Sequence, residues 1–205
     1  MNDMFNDWIL IPDLPMEKVI ESILTNRTIE TFNPDCGIYT FIGNKETPIS
    51  VLDFGCGIGR NTFGLGLHSP RWTITGYDNS GMIKLTDQYY TMKYKIPHLL
   101  TNVSFSDDWE SLKKLKFDVV LCCYVLQHIY EKDLFSYIED FKNITNHLIV
   151  LGRRSNDDIS ERSTWTILEE AGLIPTSFYR SGGMETNYSP EGDIYEHNIA
   201  VYNFE

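Results

Sequence analysis

From residue 49 to residue 152 the chain alternates short apolar runs rich in β-branched residues with longer segments of helical period, and few folds accommodate that rhythm. The strand candidates are ISVLDF (49–54), WTITGYD (72–78), NVSF (102–105), FDVVLCC (117–123) and HLIVLG (147–152). Helical readings fall between them at 60–68, 80–94, 110–115 and 132–144, and another follows at 160–171, ended by Gly172. Strands this apolar have no face to give to water, so both faces must be covered. When a helix follows each strand, successive strands run the same way and pair in parallel. The expected fold class is therefore α/β, a doubly wound, mostly parallel, Rossmann-like sheet. Past residue 171 the rhythm breaks. TSFYR (176–180), a polar loop of 16 residues and HNIAVYNF (197–204) read as two strands joined without a helix. That predicts an antiparallel final pair and seven strands in all.

Within this frame Ser80 is the expected N-cap of the second helix, with Met82, Leu85 and Tyr89 on one face. Gly64 and Gly66 lie inside the first helix, where each costs about 1 kcal/mol relative to alanine, which predicts a close contact or a frayed helix. The first 48 residues stand outside the alternation. Leu14, Met16, Val19, Ile20, Ile23 and Leu24 form a helical stripe behind Asp13, with Pro15 in the first turn. Residues 1–48 are thus read as an N-terminal helical cap or lid on a compact domain of residues 49–205.

Composition narrows the partners. A net charge of −12 repels a phosphate backbone unless basic residues cluster, and Arg153–Arg154 is the tight arginine pair, so polymeric nucleic acid is not expected as substrate. No apolar run approaches the ~20 residues of a membrane span. WILI at 8–11 follows Asp3 and Asp7 rather than a basic segment, so neither a leader nor a membrane partner is expected. Cys36, Cys56, Cys122 and Cys123 show no C-x-x-C and no metal spacing. They read as reduced thiols of a cytoplasmic protein, mostly small core residues, with no metal.

The chemistry concentrates in VLDFGCGIGR (51–60). In a doubly wound sheet ligands bind beyond the carboxyl ends of the strands, where this turn falls. Gly55, Gly57 and Gly59 permit positive φ and a ligand lying against the main chain. A dinucleotide fingerprint is G-x-G-x-x-G with pyrophosphate at the helix N-terminus, whereas this spacing is G-x-G-x-G. Asp53, just ahead of the glycines, would repel a pyrophosphate but suits an α-ammonium group. A ligand with an amino acid at one end and a nucleoside at the other meets both demands, and S-adenosylmethionine is such a ligand. Asp78 stands 19 residues beyond Gly59, where a carboxylate can accept from ribose hydroxyls.

Taken in order, VLDFGCGIGR, ITGYDNSGMI, SDDW and FDVVLCCYVLQHI resemble the class I S-adenosylmethionine-dependent methyltransferases, specifically the small-molecule type, over roughly residues 49–152 and the terminal strand pair. The resemblance implies a cofactor site. Asp53, Gly55, Cys56, Gly57 and Gly59 would hold the methionine end, with the main chain of Cys122 bordering its amino group. Asp78 and Asn79 would take the ribose, and Ile83 would pack on the adenine. Asp108, or else Asp107 one residue before it, would accept from the adenine amino group, with Trp109 flanking the ring. His128, soon after the fourth strand, is the candidate general base, or else a histidine packed under the sheet edge. Arg153 and Arg154 follow the fifth strand, as a grip for an acidic acceptor or as solvated charge. Tyr39, Tyr188 and Tyr195 lie in the segments outside the alternation and are candidate walls of an acceptor pocket.

Methyl transfer is an in-line displacement on an already activated carbon. Alignment and exclusion of water come first, and a base is needed only for a hydroxyl, phenol or protonated amine. The expected function is methyl transfer to an O, N or C atom of a small-molecule acceptor. The alternative is a non-catalytic S-adenosylmethionine-binding pseudoenzyme or sensor. A nicotinamide-dependent reductase is disfavoured by Asp53 and the glycine spacing. N6-adenine methylation would need N/D-P-P-Y/F/W after the fourth strand, where CCYV stands, and no G-K-[ST] is present for a P-loop.

Overall fold

The computed structural model describes residues 46–86, 100–153, 164–180 and 197–204. In chain order these form β1 (Ser50–Phe54), α1 (Arg60–His68), β2 (Thr73–Tyr77), α2 (Ser80–Thr86), β3 (Val103–Ser106), α3 (Trp109–Leu112) and β4 (Val119–Cys123). A 3-10 turn (Leu126–His128) leads to α4 (Glu131–Ile144), β5 (His147–Arg153), α5 (Thr164–Glu170), β6 (Ser177–Arg180) and β7 (His197–Asn203). The seven strands make one sheet in the order β3-β2-β1-β4-β5-β7-β6. The first five pair in parallel. β7 runs antiparallel between β5 and β6, as the sequence pattern predicts.

The strands are apolar throughout because alternate residues serve two cores. Leu52, Phe54, Val120, Cys122, Leu148 and Val150 point to one face, against Leu134, Ile138 and Phe141 of α4 and Ile167 and Leu168 of α5. Val51, Ile74, Val119, Leu121, Ile149 and Leu151 point to the other, with Leu65 of α1 and Trp72. Leu134, Ile138 and Phe141 repeat at helical spacing, which turns one stripe of α4 into the core. Phe117, the first residue of the expected fourth strand, makes an isolated bridge to Thr145 instead. Among the described residues no helix is long and apolar enough to cross a membrane.

Glycine in α1 has a packing reason. A Cβ on Gly66 would stand 2.3 Å from the Val103 side chain, so α1 settles closely on β3. Asn102 holds that contact, its Nδ2 donating to the carbonyls of Gly66, Ser69 and Trp72 at 3.1, 3.0 and 2.9 Å. The cap of α2 differs from expectation. Asn79, not Ser80, accepts from the Gly81 and Met82 amides, each at 3.1 Å. Its own N–H and Nδ2 donate to Asp78 Oδ1 at 2.7 and 2.8 Å, which orients the side-chain oxygen toward the helix and leaves Ser80 inside it.

The N-terminal stripe, residues 87–94 of the expected second helix, residues 160–163 and the 181–196 loop lie outside the described residues. So do Tyr39, Arg154, Tyr188 and Tyr195.

Candidate functional site

The strand order reverses beside β1, since β2 and β4 are its neighbours while their crossovers lead away in opposite directions. That opens a crevice at the carboxyl ends of β1 and β4. The turn after β1 is stitched to the end of β2. Gly55 and Cys56 N–H donate to the Tyr77 carbonyl at 2.7 and 2.9 Å. Gly57 N–H donates to Asp78 Oδ2 at 2.8 Å. On the far side Thr86 Oγ1 donates to the Gly57 carbonyl at 3.2 Å, tying in α2.

Three glycines with positive φ stand in this turn, and they serve different purposes. At Gly55 (φ +72°) a Cβ would meet the Val125 methyls at 2.3 and 2.4 Å, and at Gly59 (φ +85°) it would meet the Phe105 ring at 2.7 Å. Those two are glycine for packing, because the room a ligand was expected to use is filled by protein. At Gly57 (φ +57°) the nearest atom is the Met82 methyl at 3.8 Å, so bare backbone faces open space there.

Asp53, at the end of β1, is 1% exposed and accepts from Thr62 Oγ1 of α1 at 2.6 Å. Burial is the main force pushing its carboxyl up to about 6, opposed by the Thr62 hydroxyl and reinforced by the Asp78 charge. Asp78 is also raised by burial, against the bonds it receives from Gly57 and Asn79. Two carboxylates therefore flank the turn. Cys56, Cys122 and Cys123 are free thiols. Burial and then the Asp53 charge push all three up, Cys123 to about 12, so they stay protonated. That agrees with small core residues and gives none of them a nucleophile's character.

Beyond β3, Asp108 is committed to the backbone. It caps α3, with Oδ1 accepting from Ser111 N–H at 3.1 Å and Oδ2 from Ser111 Oγ at 2.6 Å. Trp109 donates from Nε1 to Asp140 at 2.9 Å and packs edge-on against Phe54 and Tyr137. Tyr77 joins this cluster at 5.1 Å from the Trp109 ring. Ile83 is half-buried on α2. His128 closes the 3-10 turn exposed, its Nε2 3.3 Å from Gln127 Nε2, and is not packed beneath the sheet edge. Arg153 ends β5 in register with His197 of β7.

Thr62 and Asn61, in the first turn of α1, escape a sequence reading, because only the fold sets them beside Asp53 and the end of β4. Asn61 Oδ1 is the one buried side-chain nitrogen or oxygen without a hydrogen-bond partner among the described residues.

Residues 52–148, the stretch containing the turn, both flanking carboxylates and the Asp108 cap, match a family described as a methyltransferase domain. No curated protein matches the chain by sequence. Its fold is shared by magnesium protoporphyrin IX methyltransferase (ChlM) of Synechocystis PCC 6803 with bound SAM, at 19% identity and TM-score 0.63 over 100% of this chain and 92% of that one. The same enzyme with bound SAH gives 15% identity and TM-score 0.62 over 99% of this chain and 93% of that one. An O-methyltransferase family protein from Burkholderia thailandensis matches at 11% identity and TM-score 0.58, over 92% of this chain and 58% of that one. The matched stretch thus carries the glycine turn, the Asp53 carboxylate and the Asp78 bracket on a sheet whose fold these structures share.

Proposed function

We propose that this chain is a class I S-adenosylmethionine-dependent methyltransferase, moving a methyl group, in-line, from S-adenosylmethionine to an O, N or C atom of a small-molecule acceptor. The observation that carries the reading is the open backbone at Gly57 between two carboxylates, Asp53 and Asp78. A pyrophosphate laid there would meet two negative charges, whereas an ammonium group offsets the burial and, secondarily, the Asp78 charge that raise Asp53. In this reading Asp53 and the turn take the amino-acid end, and the Cys122 main chain borders it. Asp78 and Asn79 take the ribose diol, and Ile83 packs on the adenine. Asp107 accepts from the adenine amino group, since Asp108 already caps α3, and Trp109 lies nearby. Bound S-adenosylmethionine supplies an electrophilic methyl carbon, so the chain has mainly to align the acceptor and keep water away.

On the acceptor side we assign His128 to proton removal when the acceptor is a hydroxyl or phenol. Arg153 and Arg154 are assigned to an anionic group on the acceptor, with Tyr39, Tyr188 and Tyr195 as pocket walls and residues 1–48 as a lid. A net charge of −12 favours a small acceptor over a nucleic acid, as does the likeness in fold to magnesium protoporphyrin IX methyltransferase. Free thiols at Cys56, Cys122 and Cys123 favour a reducing, cytoplasmic setting.

The test is a transfer screen with labelled S-adenosylmethionine across phenols, amines, carboxylates, sugars and a short RNA, judged by product mass. A methylated small molecule together with S-adenosylhomocysteine is the expected result. Tight S-adenosylhomocysteine binding without any product would mark a cofactor sensor, and methylated RNA alone would overturn the small-molecule reading.

A further inference from the structure

The residue after β4 is held in a backbone conformation that suits glycine better than a tyrosine. Tyr124 has φ +57°, and every other positive φ among the described residues belongs to a glycine. A bulky side chain is strained in that region, where glycine or asparagine sits at less cost. The packing shows the consequence. Leu121 lies in the cluster of Val51 and Ile149, Cys122 in the cluster under α4 and α5, and Cys123 packs on the first again. Alternation would return Tyr124 to the side of Cys122, yet it packs on the same side as Cys123.

The contacts that hold this turn do not use the tyrosine side chain. The Tyr124 N–H donates to the Leu151 carbonyl at 2.8 Å, a main-chain bond that any residue but proline makes. Val125 supplies the methyls that close over Gly55. Leu126 and Gln127 turn inward and are buried. Tyr124 is only half-buried, and His128 and Tyr130 are exposed, Tyr130 by 52%. Topology fixes where this accessible stretch stands. The proposed cofactor spans the carboxyl ends of β1, β2 and β3, where the glycine turn, Asp78 and Asp107 lie. Tyr124 stands across β1 from them, between the ends of β4 and β5. That end of the crevice is the one left to a methyl acceptor, and backbone strain retained at such a place points to function.

We propose that Tyr124 is an acceptor-binding residue and that the acceptor is a phenol, its ring packing on Tyr124 and its hydroxyl losing a proton to His128. This rests on the methyltransferase reading above and names a substrate class for it. An aromatic ring favours a flat apolar partner, which a sugar or an aliphatic amine does not offer. In the transfer an electron pair of the phenolic oxygen forms the bond to the methyl carbon, and the carbon–sulfur pair returns to sulfur. The products are the methyl ether, neutral S-adenosylhomocysteine and a protonated imidazole.

The full chain is tested with labelled S-adenosylmethionine, with catechol and caffeate as phenols and glucose and ethanolamine as non-aromatic acceptors. Wild type should methylate a phenol and neither of the others. Tyr124→Asn, which accepts the left-handed backbone, should lower phenol kcat/KM about 10- to 100-fold through KM, the range for losing a well-packed aromatic contact. Its S-adenosylhomocysteine affinity, measured by calorimetry, should match wild type. Tyr124→Phe, which keeps the ring, should recover most of the loss. In thermal melts Tyr124→Ala should fall below Tyr124→Asn, because alanine keeps more of the strain. Unchanged phenol kinetics in Tyr124→Asn, a parallel loss of S-adenosylhomocysteine affinity, or equal melting of the alanine and asparagine variants each overturns the proposal. So does a wild-type chain that binds S-adenosylhomocysteine and methylates no phenol. A chain that does not bind S-adenosylhomocysteine overturns the cofactor reading, and this proposal with it.

Discussion

The Thr62 hydroxyl donates to Asp53 Oδ2 across 2.6 Å, joining the first turn of α1 to the end of β1 inside the core. The bond only partly offsets the burial of the carboxylate, whose carboxyl is raised from 3.8 to about 6. A raised acid binds its proton more tightly in the folded state than in the unfolded chain. Its contribution to stability is complete below about pH 4 and is lost as pH rises through about 6. Asp53→Asn should therefore stabilise the ligand-free protein at pH 7.5 by about 1–3 kcal/mol and remove Asp53's share of the pH dependence. Denaturant melts of both proteins at pH 4, 6 and 7.5 check this. The gap should close toward pH 4. A gap that does not change with pH would rule out the raised carboxyl. The same substitution should cost cofactor affinity, because the charge that destabilises the empty protein is the one an ammonium group needs.

Asp78 holds the turn and is proposed to hold the ribose, and the two duties separate by substitution. Asp78→Asn keeps an acceptor for Gly57 N–H, whereas Asp78→Ala removes it. Asp78→Ala should weaken S-adenosylhomocysteine by roughly 30- to 1000-fold, the equivalent of about 2–4 kcal/mol. Asp78→Asn should lie between it and wild type. Equal affinities in all three proteins, measured by calorimetry, would take Asp78 out of the site.

Gly55 and Gly57 should fail in opposite ways when changed to alanine. At Gly55 the new methyl meets Val125 at 2.3 Å, so Gly55→Ala should lower the melting temperature, and Val125→Ala should restore part of the loss. At Gly57 the space is open, with only the positive φ opposing, a strain of roughly 1–2 kcal/mol. Gly57→Ala should fold and lose S-adenosylhomocysteine affinity. Thermal melts paired with ligand titration distinguish the two, and a Gly57→Ala protein with full affinity would remove the open backbone from the argument.

Asn102 is predicted to matter for stability and not for binding. One amide group serves the Gly66, Ser69 and Trp72 carbonyls, closing α1 onto the sheet. Asn102→Ala should cost about 1–3 kcal/mol in denaturant unfolding. Methylthioadenosine affinity should stay unchanged, since Asn102 lies at the far end of α1 from the glycine turn.

Much of the architecture is legible in the chain because its signals are local. Buried parallel strands must be apolar on both faces, so VLDF and VVLCC stand out, and the lack of a helical pattern in the sequence between 180 and 197 predicts the antiparallel pairing of β7. The glycine turn and Asp53 are legible for the same reason, as neighbours along one loop. Ser80 and Asn79 show where such reading stops. Both are good caps, and the choice falls to Asn79 because Asp78 orients it through two bonds. Asp107 and Asp108 stand one residue apart with identical chemistry, and the position of Ser111 in α3 draws Asp108 into a cap.

The sequence by itself determined which segments become strands, where the chain turns back, and where bare backbone meets a carboxylate, since each depends on residues a few positions apart. Only the tertiary structure decided that Gly55 and Gly59 make room for Val125 and Phe105 while Gly57 faces open space. It alone brought Thr62 to Asp53 and left Asn61 Oδ1 without a partner. Those outcomes depend on distances between α1, β3 and the end of β4, which are set by how helices and sheet pack and are not encoded in any one stretch of residues.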